Sequence, residues 1–180
     1  MPYNVYLHEV GNAGFTGNLR QTVQTRLQGW FNQIVHGTSF RSANVQWVDS
    51  APRIEDHELL VYFCQSQINS VIRSRLVPGA SGNEDGLTVY ANERAASEVY
   101  VFGAEGSSPM DAIPEVAFHE CMHNKLNLDN HLHSRPGLAA RAVSPGTPIH
   151  PSNIADMRAA LPQPRRQWLD GFAGDALEGL

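Results

Sequence analysis

At 180 residues, 42% hydrophobic and 17% charged, with a formal net charge of −5, the chain has the composition of one soluble domain able to bury a core without disulfide staples. The acidic balance excludes nucleic acid as the main partner, because phosphate binding rests on clustered Lys and Arg. No apolar run has membrane-spanning length, and residues 1–10 alternate rather than forming a charged-then-apolar signal, so the chain reads as soluble, with no membrane partner.

Residues 3–9 alternate as a strand does, and Gly11 to Gly14 mark a loop. Thr16 or Asn18 then caps a long helix whose apolar residues, Leu19, Val23, Leu27, Trp30, Phe31 and Ile34, recur by three and four. A short strand is expected at 45–48 and a polar turn at 49–56. The near-continuous apolar run 59–64 is that of a strand covered on both faces. Residues 68–77 read as a short helix or a loop ended by Pro78-Gly79, and residues 83–86 as a turn. Strand patterning returns at 87–91 and 98–102. Cys64 and Cys121 sit in apolar runs, where Cys acts as a small hydrophobe, and do not make a disulfide framework. The compartment is left open.

The next segment carries the chemistry. Asp111 as N-cap, Pro114 in the first turn and Glu115 near the positive end of the dipole start a helix. Ile113, Val116, Ala117, Phe118, Met122 and Leu126 make it apolar around much of its circumference, as for a buried helix. On it lies His119-Glu120-Cys121-Met122-His123, an H-E-x-x-H pattern. Positions four apart share a helix face, so the two imidazoles can close on one metal ion, with Glu120 beside the open coordination position as general base. Zinc, one per chain, is the expected metal, because a borderline-soft ion suits imidazole donors. Buried histidines and a glutamate without a partner would be costly, and a metal removes that cost. Further on, Ser152 reads as the N-cap of a helix through Ile154, Met157, Ala160 and Leu161, stopped by Pro162. Arg158, Arg165 and Arg166 read as a solvated face. With no repeat or linker signal, the chain is one unit, the sheet and active-site helix in 1–128 and a C-terminal part in 129–180.

The order strand, helix, four further strands and then a buried H-E-x-x-H helix resembles the metzincin zinc metallopeptidases. The resemblance implies an α+β zincin-like fold: a twisted, mostly parallel sheet of about five strands, the fourth an antiparallel edge strand bordering the cleft. Leu87, Thr88, Val89 and Tyr90 would then be the edge on which an extended polypeptide substrate adds. In the family pattern H-E-x-x-H-x-x-G-x-x-H/D, Asp129 falls on the third-ligand position. Leu126 stands where the pattern has glycine, and Asn127, tolerant of left-handed φ, can turn the chain one residue later. A helix prolonged by a turn would instead bring His131 or His133 to the ion, and a later segment would offer Asp156. Met157 is the candidate for the family's methionine turn. Ala159 replaces the tyrosine that some relatives use on the oxyanion, leaving Tyr90, Tyr100 or His150 for that task. The implied activity is hydrolysis of peptide bonds. The compact motif with Asn124-Lys125 after it is also similar to metallopeptidase toxin domains of bacterial secretion systems, which implies delivery by a larger machine. Competing readings are a zinc-stabilised binding domain without catalysis and a zinc hydrolase of non-peptide amides.

Overall fold

In this computed structural model the described residues are 1–50, 54–70, 72, 82, 84–91, 94–104, 106, 108–128 and 130–167. The elements, in order, are β1 (Tyr3–Glu9), α1 (Gly17–Val35), β2 (Ala43–Val48), β3 (Leu59–Cys64), β4 (Gly86–Ala91), β5 (Arg94–Tyr100), α2 (Ile113–Leu126), α3 (Pro151–Ala160) and β6 (Arg166–Gln167). Short 3₁₀ turns lie at Gln67–Asn69, Asn130–Ser134 and Gly137–Ala139. The sheet runs β2-β1-β3-β5-β4, with β6 paired to the start of β5. β1, β2, β3 and β5 are mutually parallel, and β4 is antiparallel at the edge. The fold is thus α+β with a mixed sheet, its antiparallel strand where it was expected. No described helix is long and apolar enough to cross a membrane.

Alternation on the strands sorts the apolar residues onto two faces, in three clusters. Val5, Leu7, Val61, Phe63 and Val99 pack with Leu27 and Phe31 of α1, Phe118 and Met122 of α2 and Met157 of α3. On the other face Tyr6, Leu60 and Tyr62 form a second cluster, and Ile72, Ala96, Leu87 and Val89 a third. All six residues of β3 are buried, which explains its unbroken apolar run. α1 starts at Thr16, whose hydroxyl accepts the Leu19 N–H at 3.4 Å.

Four expectations are corrected. α2 is capped by Ala112 without a side-chain bond rather than by Asp111, which is exposed. Pro114 does lie in its first turn, where a missing N–H costs nothing. β5 spans Arg94–Tyr100 rather than 98–102, because Ala95, Ala96 and Ser97 are too small to show apolar alternation. Ser97 is on the face that α2 approaches, with its Oγ 3.5 Å from the Glu120 carbonyl, whereas Ala96 packs on the other face. β2 begins at Ala43 rather than 45. α3 is capped by His150, not Ser152, in a reciprocal arrangement with Asn153, and Pro151 takes its first position. Pro78-Gly79, Asn83 and most of 68–77 lie outside the described residues.

Candidate metal centre

α2 is buried at every residue from Ile113 to Met122, His119 included, and His123, nearer its C-terminal end, is partly exposed. The helix stops at Asn127, whose φ of 52° and ψ of 44° are left-handed and whose N–H returns to the His123 carbonyl. This is the turn one residue beyond the glycine position. The chain then doubles back, and the 3₁₀ turn Asn130–Ser134 brings His133 over the helix end.

The Nε2 atoms of His119, His123 and His133 form a triangle with sides of 3.0, 3.2 and 3.3 Å. Among the described residues this is the group of donors able to hold a metal ion. Two of the rings are fixed from behind. His119 Nδ1 lies 2.8 Å from the Leu138 carbonyl, and His123 Nδ1 meets the Leu128 carbonyl. A carbonyl only accepts, so each Nδ1 carries the proton and each Nε2 presents a lone pair. Two lone pairs face one another at 3.0 Å. That arrangement is repulsive unless a cation lies between them. Tetrahedral nitrogen donors about 2.0–2.1 Å from an ion stand about 3.3 Å apart, close to the sides of this triangle. The donor set therefore fits a metal ion. Burial first, then nearby His123, lowers the His119 pKa from 6.5 to about 4, against the opposing Leu138 bond. His119 is thus neutral, as a ligand must be.

Glu120 is buried against the edge strand. Its Oε2 accepts the Thr88 hydroxyl at 2.6 Å. Its other oxygen lies against Gly86, where a Cβ would come within 2.7 Å of it. Burial raises the Glu120 pKa to about 8, opposed by the Thr88 bond and aided by Glu84. A cation beside it acts in the opposite sense and favours the carboxylate.

The remaining candidates separate clearly. Asp129 lies outside the described residues. His131 is exposed and is not in the triangle. Asp156 is ion-paired with Arg135. Met157 lies within α3, fully buried in the main core, so it is a packing residue rather than a methionine turn. Leu87 and Val89 point to the far face of the sheet, whereas Thr88 and Tyr90 point to α2. The Tyr90 hydroxyl bonds the His123 carbonyl. Tyr100 belongs to a buried cluster with Ser70 and Glu98, and His150 caps α3, so both are engaged elsewhere. Cys121 is wholly buried, and burial pushes its thiol pKa far up, which rules out a thiolate nucleophile. Sequence reasoning missed the contacts of Gly86 and Thr88 with Glu120. Strand alternation held the signal, since both fall opposite Leu87 and Val89. The Leu128 and Leu138 carbonyls are backbone groups and leave no such signal.

No protein-family model matches the chain, and no curated protein matches it.

Proposed function

We propose that the chain is a zinc-dependent peptidase of the zincin type, with His119, His123 and His133 as ligands and Glu120 as general base. The observation that carries this is the three-imidazole triangle with a buried glutamate one step round the same helix. The reading departs from the metzincin pattern in its third ligand, since His133 follows His123 by ten residues. Zinc is favoured over harder ions because every donor in the triangle is an imidazole nitrogen. When bound, the ion supplies a Lewis acid that polarises a carbonyl and acidifies water.

The chain's own residues supply the rest. Glu120 takes a proton from the attacking water and returns it to the leaving amine nitrogen, so it acts as base and then as acid. Oε2 is held by Thr88, and no described residue bonds Oε1, so that oxygen is the one suited to carry the proton. A polypeptide substrate is favoured by β4, which ends the described sheet order and touches Glu120 through Thr88. An extended segment can pair with such an edge and lie beside the base.

The test compares the parent with Glu120→Gln for zinc content and for hydrolysis of an unstructured casein substrate. Both should hold about one zinc, and the variant should lose hydrolysis by orders of magnitude. Zinc in a parent that cleaves neither casein nor a mixed peptide pool would point to a structural ion. Absence of stoichiometric metal would remove the reading altogether.

A further inference from the structure

The bond that holds Glu120 is the last of a row. Thr88 Oγ1 also lies 2.9 Å from Ser97 Oγ, and Ser97 Oγ accepts from Asn124 Nδ2 at 2.9 Å. Asn124 and Gln167 exchange two amide bonds, Nδ2 to Oε1 at 2.9 Å and Nε2 to Oδ1 at 3.0 Å. Gln167 Nε2 donates in addition to the Arg165 carbonyl at 2.9 Å.

This row has one direction. The Arg165 carbonyl only accepts, so the Gln167 group facing it must be the NH₂. Turning that amide over would set oxygen against oxygen at both Arg165 and Asn124. Gln167 therefore fixes the Asn124 amide, whose NH₂ must face Ser97. With its oxygen accepting from Asn124, the Ser97 hydroxyl has its own proton to give, and Thr88 Oγ1 at 2.9 Å is a closer acceptor than the Glu120 carbonyl at 3.5 Å. The single Thr88 proton is then directed to the nearest acceptor, Glu120 Oε2 at 2.6 Å, and donors aligned this way polarise one another.

We propose that Thr88 is a positioning residue for Glu120, its hydroxyl proton committed to the carboxylate by a one-way hydrogen-bond row that starts at β6. The inference rests on the peptidase reading for its effect on turnover, but not for the contact itself. Thr88 is half-buried on an edge strand, and valine matches its shape while removing the donor.

Thr88→Val should keep one zinc and an unchanged KM while kcat falls about 10- to 100-fold, the range for partners behind a functional group. Thr88→Ser should regain most of the loss, because it restores the hydroxyl. Gln167→Glu, which sets an acceptor against the Arg165 carbonyl, should lower kcat in the same sense. A second readout needs no metal and no activity: denaturation of the chelated protein across the Thr88→Val, Glu120→Ala cycle. The midpoint shift caused by Thr88→Val should largely disappear when Glu120 is alanine. Additive shifts, or Thr88→Val with parental kcat, would overturn the positioning role. Parental kcat in Gln167→Glu would overturn the origin assigned to the row. A coupled cycle in a parent that hydrolyses nothing would support the positioning of Glu120 and defeat the peptidase reading.

Discussion

The imidazoles of His119 and His133 lie nearly parallel, with planes 13° apart and centroids 5.2 Å apart, although fourteen residues separate them. His123 stands edge-on to both, at 79° and 90°. Rings so arranged present three nitrogens to one point without obstructing each other.

His133 should therefore behave as a ligand of the same rank as the two motif histidines. His119→Ala, His123→Ala and His133→Ala should each weaken zinc binding by more than about 100-fold, beyond the effect of a supporting residue. Asp129→Ala, His131→Ala and Asp156→Ala should stay near the parent in competition titrations with a chromophoric chelator. Collapse in Asp129→Ala with retention in His133→Ala would reverse the assignment.

Acid release of the metal should come late. The His119 pKa is lowered to about 4, so protons compete at that donor only well below 6.5. In the metal-free protein the native state binds fewer protons here than the unfolded chain, so stability present above 6.5 is lost as pH falls toward 4. Equilibrium dialysis should find zinc retained at about pH 6 and released near about pH 5 or below. Half-release at pH 6.5 would show that the imidazole is not depressed.

Glu120 works in the other direction once the metal is removed. Its native pKa of about 8 lies above the ordinary 4.5, so its contribution is present below 4.5 and is lost as pH rises through 8. Glu120→Gln should accordingly stabilise the chelated protein at about pH 8–9, by roughly 5 °C in Tm for ~2 kcal/mol, and leave it unchanged near pH 4. Calorimetry at both pH values checks this. An equal gain at both would trace the effect to packing rather than charge.

Gly86→Ala probes the cradle of the carboxyl. An added Cβ would meet Glu120 Oε1 at 2.7 Å and Cγ at 2.8 Å, and both belong to a buried side chain. Hydrolysis should fall at least about 10-fold with zinc content unchanged, since displacement of a catalytic group by about 1 Å is costly. Full activity in this variant would mean that the carboxyl has room to move.

Asn127 links the helix end to a metal donor. Its left-handed conformation precedes Leu128, whose carbonyl holds His123. Asn127→Gly should be close to neutral, whereas Asn127→Val should cost about 1–2 kcal/mol and weaken zinc binding as well. Urea denaturation and metal titration on both variants decide it.

What the sequence makes legible follows its periodicities. β1 and β3 fall on the expected residues because apolar alternation or an apolar run marks them throughout. His119 and His123 are legible because one helix turn relates them. β5 was displaced because small residues under a close helix carry no hydrophobic signal, although Ala95 and Ser97 are fully buried. His133 stayed one choice among several because its approach depends on where α2 stops, a single left-handed residue. The row through Ser97, Asn124 and Gln167 joins β5, α2 and β6, and no local pattern announces it.

Every histidine of the triangle, and both carbonyls behind it, come from the one stretch 119–138. An ion held there staples only short loops, and closing a short loop removes little chain entropy. The sheet and its cores contribute no donor among the described residues. On the zinc reading proposed above, chelation should open the site locally, with faster amide exchange over 130–138 while β1 and β3 remain protected. On that same reading the site should empty and refill without unfolding, so that metal availability would set the state of the site rather than the survival of the fold.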